Sequence, residues 1–92
     1  MLRSRDLQQP EALKTALTET AKAEPVLRIK GFILTGNPEG AMLVQGVRTR
    51  MAISRYAEKK SAQVSEIVFI GYHLNRSKVA ALLSQLTATQ WQ

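Results

Sequence analysis

The sequence predicts an α+β two-layer sandwich, with a mainly antiparallel sheet of three or four strands and two helices on one face, in the order (β)αβββα. Three observations lead to it. Apolar residues recur at helical spacing in residues 10–22 and again at Val79, Leu82, Leu83 and Leu86. Between those segments, residues 26–34 and 42–53 alternate in the manner of strands, and residues 67–72 form a compact β-branched run. Residues 35–40 carry turn chemistry, with Gly36 and Gly40 around Pro38.

Taken in order, residues 1–9 read as an edge strand or a disordered, frayed arm, because Leu2, Ser4 and Asp6 alternate with Arg3, Arg5 and Leu7. Pro10 suits the first helical position, where a missing N–H costs nothing, and Glu11 favours the positive end of a helix. Leu13, Ala16, Leu17, Thr20 and Ala21 share one face of that helix, and Pro25 prevents its continuation. In the next strand Leu27, Ile29, Gly31 and Ile33 fall on one side, and Arg28, Lys30, Phe32 and Leu34 on the other. Residues 42–53 read as one long second strand. Placing Thr35 opposite Ala41 pairs Ile33 with Leu43, Gly31 with Gln45 and Ile29 with Val47, and makes Arg28 and Arg48 neighbours on the opposite face. Gln45 is then a buried amide in need of partners. Residues 54–65 are polar and irregular, and are expected to be a flexible connection. Asn75 or Ser77 caps the last helix. Trp91 either folds back on the core or trails beyond it.

Composition narrows the function. Ninety-two residues, 45% hydrophobic and 22% charged, describe an ordinary globular chain, expected to be a single domain over residues 1–92. Aromatics are scarce at 5%, so aliphatic side chains must build a thin core. The absence of cysteine excludes thiolate metal ligation, thiol nucleophiles and disulfides. No stretch approaches the roughly 20 apolar residues that span a bilayer, and no apolar run follows Arg3 and Arg5, so no membrane partner and a cytoplasmic location are expected. The net charge of +6 is concentrated in residues 28–60, which hold seven basic and two acidic side chains. An anionic partner is sought there first.

Within that region, Arg28, Lys30, Arg48 and Arg50 line one face of the expected sheet, and Lys59 and Lys60 lie in the connection beyond Arg55 and Tyr56. These six residues are the candidate docking surface. A solvated basic face that keeps strands from pairing with other chains is the plain alternative. No catalytic site is expected: the hydroxyls of Thr15, Ser54, Ser61, Ser65 and Ser77 have no His–carboxylate pair to activate them, and the seven carboxylates are scattered. His73 is the sole histidine, with Glu66 the only acidic residue within ten positions. It reads as a surface or capping residue rather than a metal ligand.

Three segments carry a resemblance: Arg28, Lys30 and Gly31 of the first long strand; Gln45, Gly46 and Val47 of the second; and Phe69, Ile70 and Gly71 of the third, followed by a helix. Their order and spacing, from about Leu13 to Leu86, resemble the C-terminal domain of the CobW family of GTP-dependent metal chaperones. The resemblance implies a module that follows a P-loop GTPase domain and a Cys-x-Cys-Cys metal segment, and that assists metal delivery or partner docking in cobalamin biosynthesis or metal homeostasis. None of that family's chemistry transfers to this chain. A phosphate-binding loop needs Gly-x-x-x-x-Gly-Lys-Ser/Thr, and none of the five glycines stands in that arrangement. No cofactor, nucleotide or metal is therefore expected in this chain.

The sequence thus points to a non-catalytic accessory domain, with a P-loop GTPase domain or a client metalloprotein as its partner. The alternative is a small basic RNA-binding module using the open sheet face. Nucleic acid is disfavoured because Phe32 is the one ring beside the basic stripe, and stacking platforms use more. A homo-oligomer that pairs through the 42–53 strand is a third reading; oligomeric state is not fixed by the sequence.

Overall fold

The computed structural model describes residues 1–36, 41–56 and 63–92. Its elements are β1 (Leu2–Ser4), α1 (Pro10–Ala23), β2 (Val26–Ile33), β3 (Ala41–Val47), β4 (Arg50–Tyr56), β5 (Ser65–Gly71) and α2 (Arg76–Thr87). The strands form one sheet in the order β1-β5-β2-β3-β4, with every pairing antiparallel. The α+β class is as predicted, but the sheet has five strands rather than three or four.

The optional first strand of the expected order is present, and one expected strand is divided in two, which makes the fifth. Residues 2–4 form a true strand against β5, with Leu2 opposite Ile67 and Ser4 opposite Ser65. The stretch read as one strand over 42–53 is a hairpin: Val47 pairs with Arg50 across a turn at Arg48 and Thr49. Arg48 adopts φ 56°, a conformation that L-residues rarely hold, and its N–H donates to the Leu27 carbonyl at 2.9 Å. With no glycine or asparagine at that turn, the usual sequence mark of a tight hairpin is missing. Residues 54–56 belong to β4, not to a connection; residues 37–40 and 57–62 lie outside the described residues.

The β2–β3 register differs from the expected one by a single residue. Ile33 pairs with Met42, Gly31 with Val44, Lys30 with Gln45 and Ile29 with Gly46. A one-residue slip exchanges the two faces of a strand. Val44 therefore enters the core, fully buried, and Gln45 is exposed beside Lys30. The physical reason is direct: this register buries a valine and leaves the amide in water, where it needs no protein partner.

Both helices pack on one face of the sheet. Leu13 and Leu17 of α1, Val79 and Leu83 of α2, and Leu2, Ile29, Ile33, Val44, Met51 and Ile67 of the strands share one core cluster. Burial of each large aliphatic side chain stabilises the fold by about 1.5–3 kcal/mol. The Gln9 side chain caps α1 by accepting from the Ala12 N–H at 2.8 Å, and Asn75 caps α2 by accepting from the Lys78 N–H at 3.1 Å. Trp91 folds back and is 3% exposed; its backbone N–H donates to Ser84 Oγ at 2.8 Å. Next to it, Arg3 and Gln92 exchange two backbone hydrogen bonds of 2.8 and 3.0 Å, so the C-terminal segment lies along β1.

Candidate docking surface

The helices cover one side of the sheet, and the other side faces solvent. Residues paired across neighbouring strands project to the same side. On the open side they form three rows. The first runs Ile70, Arg28, Val47, Arg50; the second Val68, Lys30, Gln45, Ala52; the third Glu66, Phe32, Leu43, Ser54. Arg3, opposite Glu66 on β1, extends the third row and makes an ion pair with it at 3.4 Å. Both partners are exposed, so that pair adds little stability.

Three of the six predicted residues come together here. Arg28 and Lys30 are alternate residues of β2, and Arg50 lies two strands from Arg28 in the same row. Arg48 does not sit on the face beside Arg28, as the expected register had it; the slip puts Val47 there and moves Arg48 into the hairpin turn at the edge of the patch. Lys59 and Lys60 lie outside the described residues. Among the described residues none of Arg28, Lys30, Arg48 and Arg50 has a side-chain partner, and all four are exposed.

The same slip adds what sequence reasoning missed. Val47 was expected in the core and is instead 54% exposed, on the same face as Ile70 at 56% and Val68 at 41% but separated from them by β2. The face is therefore mixed: uncompensated cations alternate with uncovered aliphatic side chains. Phe32 is not a free stacking ring. It packs against Tyr56 with ring centroids 5.6 Å apart, at the end of the face remote from Arg28.

Apart from this face, a groove of about 760 Å³ runs along the β1 edge. Arg3, Arg5, Asp6, Glu66 and Arg76 contribute to its walls. Its two carboxylates are already engaged: Glu66 by Arg3, and Asp6 by the Gln90 N–H at 2.7 Å. The groove is brought together from residues 3–6, the start of β5, the start of α2 and residues 90–92, so no local motif announces it.

Neither region has the makings of a catalytic or metal centre. Ser65 is fully buried and its Oγ accepts from the Leu34 N–H at 2.8 Å, a structural use. His73 is exposed at φ 49°, and among the described residues no three histidine, aspartate or glutamate side chains gather where a metal could sit.

Comparison with known proteins places this geometry. The family model described as "Cobalamin synthesis protein cobW C-terminal domain" matches residues 1–87, which takes in β1 as well as the segments singled out above. Two solved structures share the fold. One is the zinc-bound YjiA GTPase from E. coli, 21% identical with a TM-score of 0.60; the other is a zinc-bound triple mutant of YjiA GTPase, 22% identical with a TM-score of 0.62. Each alignment covers 94% of this chain and 28% of the other, so the chain spans under a third of those proteins. No curated protein matches.

Proposed function

The chain belongs to the CobW C-terminal domain family, and from that membership we propose that it is a non-catalytic docking domain of a GTP-dependent metal chaperone system. Its work is to hold a P-loop GTPase domain, or the client metalloprotein that receives the metal, against the open face of its sheet. Cobalamin biosynthesis or metal homeostasis in the cytoplasm is the setting this reading implies. The observation that carries it is the open face itself, where Arg28, Lys30 and Arg50 stand without partners among exposed Val47, Val68 and Ile70. Apolar side chains of this size left in rows on a small domain mark a surface that another polypeptide covers. Nucleotide and metal chemistry belong to the partner: this chain has no phosphate-binding loop and no cysteine.

Nuclear magnetic resonance tests the reading. A separately produced P-loop GTPase domain of this family is added to the isotopically labelled chain. Amide shifts are expected at Arg28, Lys30, Val47 and Ile70, with α1 and α2 undisturbed. Shifts confined to the helical side would overturn it. So would calorimetric binding of GTP to this chain alone at micromolar affinity.

A further inference from the structure

We propose that the Arg28–Arg50 end of the open face binds an acidic polypeptide segment whose carboxylates stand about 10 Å apart, with an apolar side chain between them. This rests on the docking reading above and specifies the chemistry of the partner.

The geometry of one row carries the inference. Ile70, Arg28, Val47 and Arg50 come from β5, β2, β3 and β4 in that order, so apolar and cationic side chains alternate across four adjacent strands. Neighbouring strands are about 4.8 Å apart, which sets Arg28 and Arg50 about 10 Å apart with Val47 between them. Lys30 stands behind Arg28 in the next row, and Arg48 borders the patch at the turn. Among the described strand residues of this face Glu66 is the one carboxylate. It lies in the third row, held by Arg3. A partner must therefore supply negative charge at two points and an aliphatic group in the gap. An α-helix does so when two glutamates lie two turns apart, a rise of about 10.8 Å, with a leucine one turn after the first. The carboxylates fix register and speed encounter, and burial of Val47 and Ile70 supplies affinity.

A nucleic acid fits this row less well. Its phosphates would match the cations, but Val47 and Ile70 offer bases no aromatic surface, and the Phe32–Tyr56 pair lies at the other end of the face.

Fluorescence anisotropy on the whole chain tests the proposal with three labelled probes: a synthetic helix carrying glutamates two turns apart around leucine, the same helix with lysine for glutamate, and single-stranded poly-U RNA. The acidic helix is expected to bind. Its affinity should fall at least about tenfold in the Arg28→Glu, Arg50→Glu double variant, equivalent to about 1.4 kcal/mol. The lysine helix should bind that variant in its place. Val47→Ser with Ile70→Ser should weaken the acidic helix without restoring the lysine one. Thermal melts check that each variant folds, and Arg28→Gln with Arg50→Gln replaces the reversed pair if that one does not. Equal binding of the acidic helix to wild type and the charge variant overturns the proposal, as does tighter, charge-dependent binding of the RNA. If the helix fails while a GTPase domain still perturbs the open face, the partner chemistry is wrong and the docking reading stands.

Discussion

Gly31 shows how a single missing methyl group can set a sheet. A Cβ at that position would meet the backbone carbonyl of Glu66 on β5 inside contact distance, and main chain cannot swing aside. Gly31→Ala is expected to lower stability by about 1–3 kcal/mol or more, read from urea unfolding. Gly46→Ala is a useful contrast, since its Cβ would meet the end of the Met51 side chain, which can move; the smaller loss is expected there. Arg48 presents the opposite trade. Held at φ 56°, it is strained where glycine would not be. Arg48→Gly should raise stability by about 0.5–1 kcal/mol in thermal melts while removing one cation from the docking patch. Trp91, at the other end of the chain, is buried with its indole N–H unpartnered among the described residues. Trp91→Ala should cost about 3–5 kcal/mol. Trp91→Phe should cost clearly less, because it keeps most of the ring and removes the unsatisfied donor.

At the scale of elements, what the sequence announces depends on how local the cause is. Pro10 and Asn75 mark helix starts through contacts within one turn, and both helices begin where those residues say. Asn75→Ala should cost about 1 kcal/mol, a drop in melting temperature of about 4–8 °C for a domain this size. The β3–β4 hairpin was hidden because its turn is closed by an arginine in an uncommon conformation and by a hydrogen bond to Leu27, a residue of another strand. The β2–β3 register was hidden for a related reason. Alternation names two faces but not which residue opposes which, and Met42–Val44–Gly46 competes with Leu43–Gln45–Val47 on apolar content alone. Only the core, with Gly46 making room for Met51 and Val44 buried opposite Gly31, decides between them. The basic residues Arg28, Lys30 and Arg50 could thus be named from the sequence, whereas Val47, Val68 and Ile70 beside them could not.

For the molecule as a whole, one-sided coverage is the property that matters. Helices shield one face of the sheet from water, and stability is built there; the other face is left to recognition. Strands β2 and β5 each have neighbours on both sides, and β2 packs beneath the core. Native-state hydrogen exchange should find the amides of Ile29–Ile33 among the slowest and those of β4, at the sheet edge, appreciably faster. Uniform protection across the five strands would contradict this arrangement.

The reciprocal bonds between Arg3 and Gln92 bring residues 2–4 and residue 92 to the same margin of the sheet. A short Gly-Ser bridge could close the polypeptide into a ring, and the ring could be reopened between Arg48 and Thr49 with strand order intact. Any tether grafted at either terminus would leave from that margin as well, with three strands separating it from β4 and from Arg50 on the recognition side.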